Sequence, residues 1–223
     1  MLTAPMSDAV RIESNSANFW RRTRTVAFWS VIVGVALELL ILGIVAIEKD
    51  LPESARAIAQ VASKVSWSGV VCFGISCGLA ASNSRAAVMG FLGAVSGPVG
   101  FAIARSVHKG TLQAISNARA VASPELLSPY LLAGIKALEY GLFGIWLGRL
   151  TQRDGARIGS YVRAGATIGI VFAVVIVSLF KNAKPDMSTI ELGAKGVNEL
   201  VFPLGCAFVL FVTKRTSAVV RPT

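Results

Sequence analysis

Six long apolar runs, each of roughly 17–22 residues and separated by short polar connections, dominate this chain. Runs of that length match the hydrocarbon thickness of a bilayer, whereas the helices and strands of soluble proteins show shorter or amphipathic apolar patterns. The runs are Val26–Ile47, Val65–Ser82, Ala86–Ala104, Pro129–Leu150, Ile158–Phe180 and Val197–Thr213. Composition agrees, with 54% of the 223 residues hydrophobic, 15% charged and a mean hydropathy of +0.65. A soluble domain carries about 25% charged residues, so this chain lacks the polar surface to cover a globule. The expected fold is all-α: a polytopic membrane bundle of six transmembrane helices with short interfacial helices in the connections. Residues 26–213 form its single domain, after a basic segment 1–25 and before a basic tail 214–223.

The first run begins too late, and runs too long, for a secretory signal. It is followed by "EKDLPES" without a small-x-small site and reads as a retained span. Basic residues flank both faces almost evenly. Arg21, Arg22 and Arg24 before the first span tip the orientation toward a cytoplasmic N-terminus in an inner or plasma membrane. Two connections are longer than a turn. In "DLPESARAIAQVASK", Leu51, Ala55, Ile58, Ala62 and Val65 share one helical face, which suggests a helix lying on the membrane. Leu112 and Ile115 in the connection after the third span suggest a second one ending before Pro124.

Glycine is frequent inside the spans, with 21 in the chain. Lipid gives helices no hydrophobic reason to associate, so close packing relies on small residues. Gly90, Gly93, Gly97 and Gly100 form one stripe, and Gly134, Ala137, Gly141, Gly144 and Gly148 a second. Gly74/Gly78 and Gly165/Gly169 add two GxxxG pairs. Pro98, next to Gly97, and Pro203 each remove a backbone hydrogen bond and are expected to kink or break their helices. A faint repeat aligns Phe73-Gly74 and Gly78 with Phe143-Gly144 and Gly148, as if two helical hairpins were copies.

Ionisable residues inside spans carry the strongest functional signal, because each costs several kcal/mol if it faces lipid. Glu38 lies roughly 18 Å into the first span and Glu139 roughly 15 Å into the fourth, both near the midplane. Lys136 sits one turn from Glu139 on the same face. Arg163 is roughly 8 Å from the end of its span, within reach of the headgroups. Glu199 reads as a residue at the mouth of the sixth span. Glu38, Lys136, Glu139 and Arg163 are thus the candidate polar site, with Gly97, Pro98 and Pro203 as candidate helix breaks beside it.

Other chemistries find little support. The chain has no paired aspartates, no H-E-x-x-H, no G-x-S-x-G and no Walker-type loop, so an enzyme is not expected. Asp154 in "TQRDGAR" reads as part of a charged turn. Cys72, Cys77 and Cys206 lie in apolar segments and suggest neither a disulfide framework nor a zinc site. With His108 the sole histidine, no metal or cofactor is expected. The net charge of +10 is spread over loops that face lipid headgroups, which argues against nucleic acid. The expected partners are the bilayer and either further copies of the chain or other membrane subunits. Function narrows to a channel or secondary transporter for an ion or small solute, or to a non-catalytic accessory or assembly subunit of a larger membrane complex.

Overall fold

The computed structural model describes residues 8–46, 54–80, 84–116, 126–153 and 155–218, and every element in them is helical. The helices are α1 (Asp8–Ala46), α2 (Ser54–Cys77, followed by a 3-10 turn at Gly78–Ala80), α3 (Arg85–Ser116), α4 (Pro129–Gln152), α5 (Ile158–Ala183) and α6 (Thr189–Ala218). Each contains a stretch long and apolar enough to cross a membrane. The protein is a six-helix membrane bundle. The "EKD" and "LPE" flanks, Asn83 of the "NSR" turn, residues 117–125, Asp154 and the end of the basic tail lie outside the described residues.

Three helices differ from their sequence-based bounds, all at the same end of the bundle. The apolar stretch of α2 begins at Ala57, that of α3 continues to Ile115, and that of α6 begins at Thr189. Ile58, Ala62 and Val65 therefore belong to the start of α2, and Leu112 and Ile115 to the end of α3, with no separate interfacial helices among the described residues. The α6 start has a local cause. The Glu191 backbone N–H donates to Ser188 Oγ at 3.1 Å, the N-capping half of an S-x-x-E box. Helix α4 starts on Pro129, whose missing N–H costs nothing in a first turn.

Successive helices pack side by side, and α6 returns to α1. The tightest pairs are α3 with α4, α2 with α3, and α5 with α6, whereas α4 meets α5 and α6 only sparingly. This pattern does not reproduce the hairpin repeat, since α2–α3 is a tight pair and α4–α5 a loose one. Two slabs result, α2–α3–α4 and α5–α6, with α1 packed against α2 and α6.

Glycines sit where the tight pairs approach. A Cβ on Gly93 would run into the Tyr140 carbonyl oxygen, and one on Gly144 into that of Met89. Gly90 and Gly148 meet Ile145 and Ala86 in the same α3–α4 seam, and Gly141 faces Ala94. Gly100 turns toward Val71 on α2, while Gly134 faces open space. A Cβ on Gly165 or Gly169 would stand 2.8 or 2.7 Å from the Pro203 or Leu200 carbonyl oxygen, so the same close approach joins α5 to α6.

The helix breaks expected at Gly97, Pro98 and Pro203 are not seen. Helix α3 runs through Pro98 and α6 through Pro203 as single elements. In each case the backbone beside the proline is held against a neighbouring helix at a glycine contact, Gly97 on Lys136 and Pro203 on Gly165. That packing keeps the chain helical despite one missing bond, as is common in membrane helices.

At the N-terminal end the bundle is closed. Lys214 Nζ donates to the Thr151 and Arg153 carbonyls at 2.9 and 3.3 Å, tying the end of α6 to the end of α4. Arg85 Nη1 reaches the same Thr151 carbonyl at 3.5 Å. Beneath lies a buried, mostly apolar core that includes Phe143, Leu147, Tyr161, Val209 and Leu210.

Two outcomes are expected. A Cβ on Gly97 would stand 2.5 Å from the Lys136 carbonyl oxygen, so Gly97→Leu should lower stability by about 1–3 kcal/mol or more. Gly134→Leu, in open space, should be neutral. Thermal unfolding followed by size-exclusion chromatography in mild detergent checks the contrast. Cys72 and Cys206 face each other across α2 and α6 with their sulfurs 2.8 Å apart. Copper–phenanthroline oxidation should join them, giving a gel-mobility shift that Cys206→Ala abolishes and Cys77→Ala does not.

Candidate functional site

The polar groups of the bundle gather between the two slabs, in the half away from the N-terminal face. Lys136 projects from α4 and is 7% exposed, and Glu139, one turn on, is fully buried. Their side chains form an ion pair with Nζ–Oε2 at 2.7 Å. The same ammonium donates to Glu199 Oε2 on α6. It also lies over the rings of Trp67 and Tyr140, 5.5 and 5.7 Å from their centroids. Trp67 Nε1 donates to the Tyr140 hydroxyl at 3.3 Å, which fixes both rings beneath the charge.

The network continues to a third helix. Asn198 Nδ2 donates to Glu199 Oε1 at 3.3 Å, and Lys64 Nζ on α2 donates to Asn198 Oδ1. Lys64 also lies 5.9 Å from the centroid of the Phe202 ring. A chain of contacts therefore runs Lys64–Asn198–Glu199–Lys136–Glu139 from α2 through α6 to α4. With two ammonium groups and two carboxylates it is formally neutral, which makes its burial tolerable. It joins walls that otherwise touch little, since α4 and α6 meet only sparingly.

Two adjoining cavities border this chain. One, of about 180 Å³, is walled by Trp67, Phe101, Tyr140 and Phe202 with Lys64 and Lys136. The other, of about 500 Å³, contains Glu38, Lys64, His108, Lys136, Lys195 and Glu199 and extends to Glu191, an exposed residue near the start of α6. The larger space reaches exposed Glu191 in the half away from the N-terminal face, and the smaller borders the aromatic layer around Trp67.

Glu38 reaches the larger cavity from α1 and is 1% exposed. Neither of its carboxylate oxygens has a hydrogen-bond partner among the described residues. Glu139 Oε1 is in the same condition, but Glu139 Oε2 is held by Lys136.

Of the four residues singled out from sequence, the structure brings Lys136 and Glu139 into contact and sets Glu38 on the same cavity as Lys136. Arg163 stands apart, on the exposed side of α5, outside both cavities. That position suits a side chain reaching for headgroups. Glu199 is the main difference, because it is no residue at a helix mouth. With α6 starting at Thr189, it lies ten residues inside the helix and pairs with Lys136. Lys64 was missed because it was read as part of a connection, and Asn198 because it stood, uncharged, at the edge of the expected sixth span. The capping signal Ser188-Thr-Ile-Glu191 would have placed Glu199 and Asn198 inside a helix. No protein family, curated protein or solved structure matches the chain.

Removing one partner of a buried ion pair leaves the other uncompensated and costs about 3–5 kcal/mol. Lys136→Met should therefore destabilise the bundle by that amount, leaving Glu139 and Glu199 side by side. Adding Glu139→Gln and Glu199→Gln should restore most of the stability. Unfolding temperatures of the single and triple variants in one detergent measure both effects.

Proposed function

We propose that the protein is a small membrane transporter that takes an ion or small polar solute into the cavity between its two slabs. The observation that carries this reading is the cavity of about 500 Å³, bordered by balanced charges and containing a buried carboxylate with no partner among the described residues. An ion network serving structure alone would satisfy its own members and leave no polar space beside them. Here the Lys64-to-Glu139 chain bridges loosely packed walls, while the glycine seams hold each slab together internally. That division suits a carrier, in which one body moves against another around a central site. With the N-terminus cytoplasmic in an inner or plasma membrane, the cavity would open outward and the Lys214 and Arg85 ties would form the inner gate. No reaction is assigned to the site.

The test begins with native mass spectrometry of gently extracted protein, followed by reconstitution into liposomes loaded with the pH dye pyranine. A monomer or homo-oligomer should dissipate an imposed pH gradient, alone or with external amino acids or small amines. The triple variant Lys136→Met/Glu139→Gln/Glu199→Gln should fold but lose flux at least tenfold. Stoichiometric co-purification with other membrane proteins, with no flux from the isolated chain, would replace the transport reading by that of an accessory or assembly subunit.

A further inference from the structure

The three carboxylates that line the larger cavity, Glu38, Glu191 and Glu199, and Glu139 behind it are not equivalent. Glu139 and Glu199 each give an oxygen to Lys136, and Glu191 is exposed near the start of α6. Glu38 is the exception, being buried on a cavity wall with both oxygens unpartnered among the described residues. Its charged form would lie in a largely apolar bundle with no donor to replace water, whereas its neutral acid would be far less costly there. A metal ion is the poorer occupant. Hard cations such as calcium and magnesium take six or more oxygen ligands, and no group of three His, Cys, Asp or Glu side chains gathers among the described residues.

The groups that share the cavity with Glu38 are Lys64 on α2, His108 on α3, Lys136 on α4, and Glu191, Lys195 and Glu199 on α6. Lys136 is held by two glutamates, and Lys195 lies over the Phe180 ring at 4.2 Å. Lys64 is the cation whose charge acts on Glu38, and its one hydrogen bond in this arrangement goes to a neutral amide, Asn198. It can leave that amide without stranding an ion.

We propose that Glu38 is the proton-exchanging carboxyl of the protein, protonated in the arrangement described and releasing its proton to water in the cavity when Lys64 moves from Asn198 to pair with it. The proton leaves as the ammonium arrives, so the carboxylate that forms on the wall meets a positive charge at once while one unit of charge passes to the water of the cavity. Moving Lys64 also opens the link between α2 and α6, which couples protonation to the contact between the two slabs. This builds on the transport reading and names its coupling ion as the proton.

The experiment is labelling of the full-length protein in native membranes with N,N′-dicyclohexylcarbodiimide, which reacts with protonated carboxyl groups in apolar surroundings. Adducts are mapped by peptide mass spectrometry. The expected result is an N-acylurea on Glu38 and none on Glu139, which lines neither cavity. Its rate should fall about tenfold per pH unit above a single midpoint. Lys64→Met should move that midpoint to higher pH, since the ionised carboxylate loses its incoming partner. Adduct on Glu139 or Glu199 instead, no adduct on Glu38, or a rate that does not change between pH 5 and 9 would overturn the assignment. The readings that would overturn the assignment all use wild-type protein, so a misfolded variant would not obscure them. Labelling does not require flux. A pH-dependent adduct on Glu38 in a protein that moves no protons would uphold the carboxyl assignment and remove the transport reading alone.

Discussion

A single ammonium group, that of Lys136, holds together helices that have little else in common. In lipid, apolar side chains gain nothing by leaving one another's company for acyl chains, so walls separated by polar space need a specific tie. Lys136 supplies it by pairing with Glu139 on its own helix and Glu199 on α6. Trp67 and Tyr140 then arrange their rings beneath the charge. Remove that charge and two carboxylates, two aromatic rings and the start of the Asn198–Lys64 link lose their common reference.

The backbone geometry explains why the tie falls where it does. The α3–α4 seam is drawn so close at Gly93, Gly97 and Gly144 that carbonyl groups occupy the space of missing side chains. The same is true of α5 and α6 at Gly165 and Gly169. Between the slabs there is no comparable seam, and side chains must span the distance. Long ones, two lysines and two glutamates, do so. A cavity beside them follows directly, because charged groups of this length reach across space that short apolar residues would leave unfilled.

This division also accounts for what could be read from the sequence. The six spans, the all-helical fold and the meeting of Lys136 with Glu139 were legible, since apolar length and a spacing of three residues fix them. The ends of α2, α3 and α6 were not. Gln60, Ser63 and Lys64, then Arg105 and His108, then Glu191 and Lys195 were read as connections, and Asn198 stood at the edge of the expected sixth span. They lie within helices whose polar residues border a cavity on the face opposite the N-terminus. Hydropathy assumes that a helix in the bilayer meets lipid or protein, and it fails where the helix meets an internal polar space. The error that hid Lys64 and the pairing of Glu199 was thus a direct trace of the cavity.

The prolines show the complementary lesson. Pro98 and Pro203 were read as kinks or breaks from local chemistry alone, and both helices continue without a break. The missing bond is a local cost, whereas the contacts of Gly97 with Lys136 and of Gly165 with Pro203 are tertiary and were invisible in one helix at a time. The Gly97 contact is made on the carbonyl of Lys136 itself. The backbone of the central ion-pair residue is therefore pressed against α3 while its side chain reaches α6, so the glycine seam sets how far the ammonium can extend. The position of the ion network depends on a packing contact that carries no charge at all.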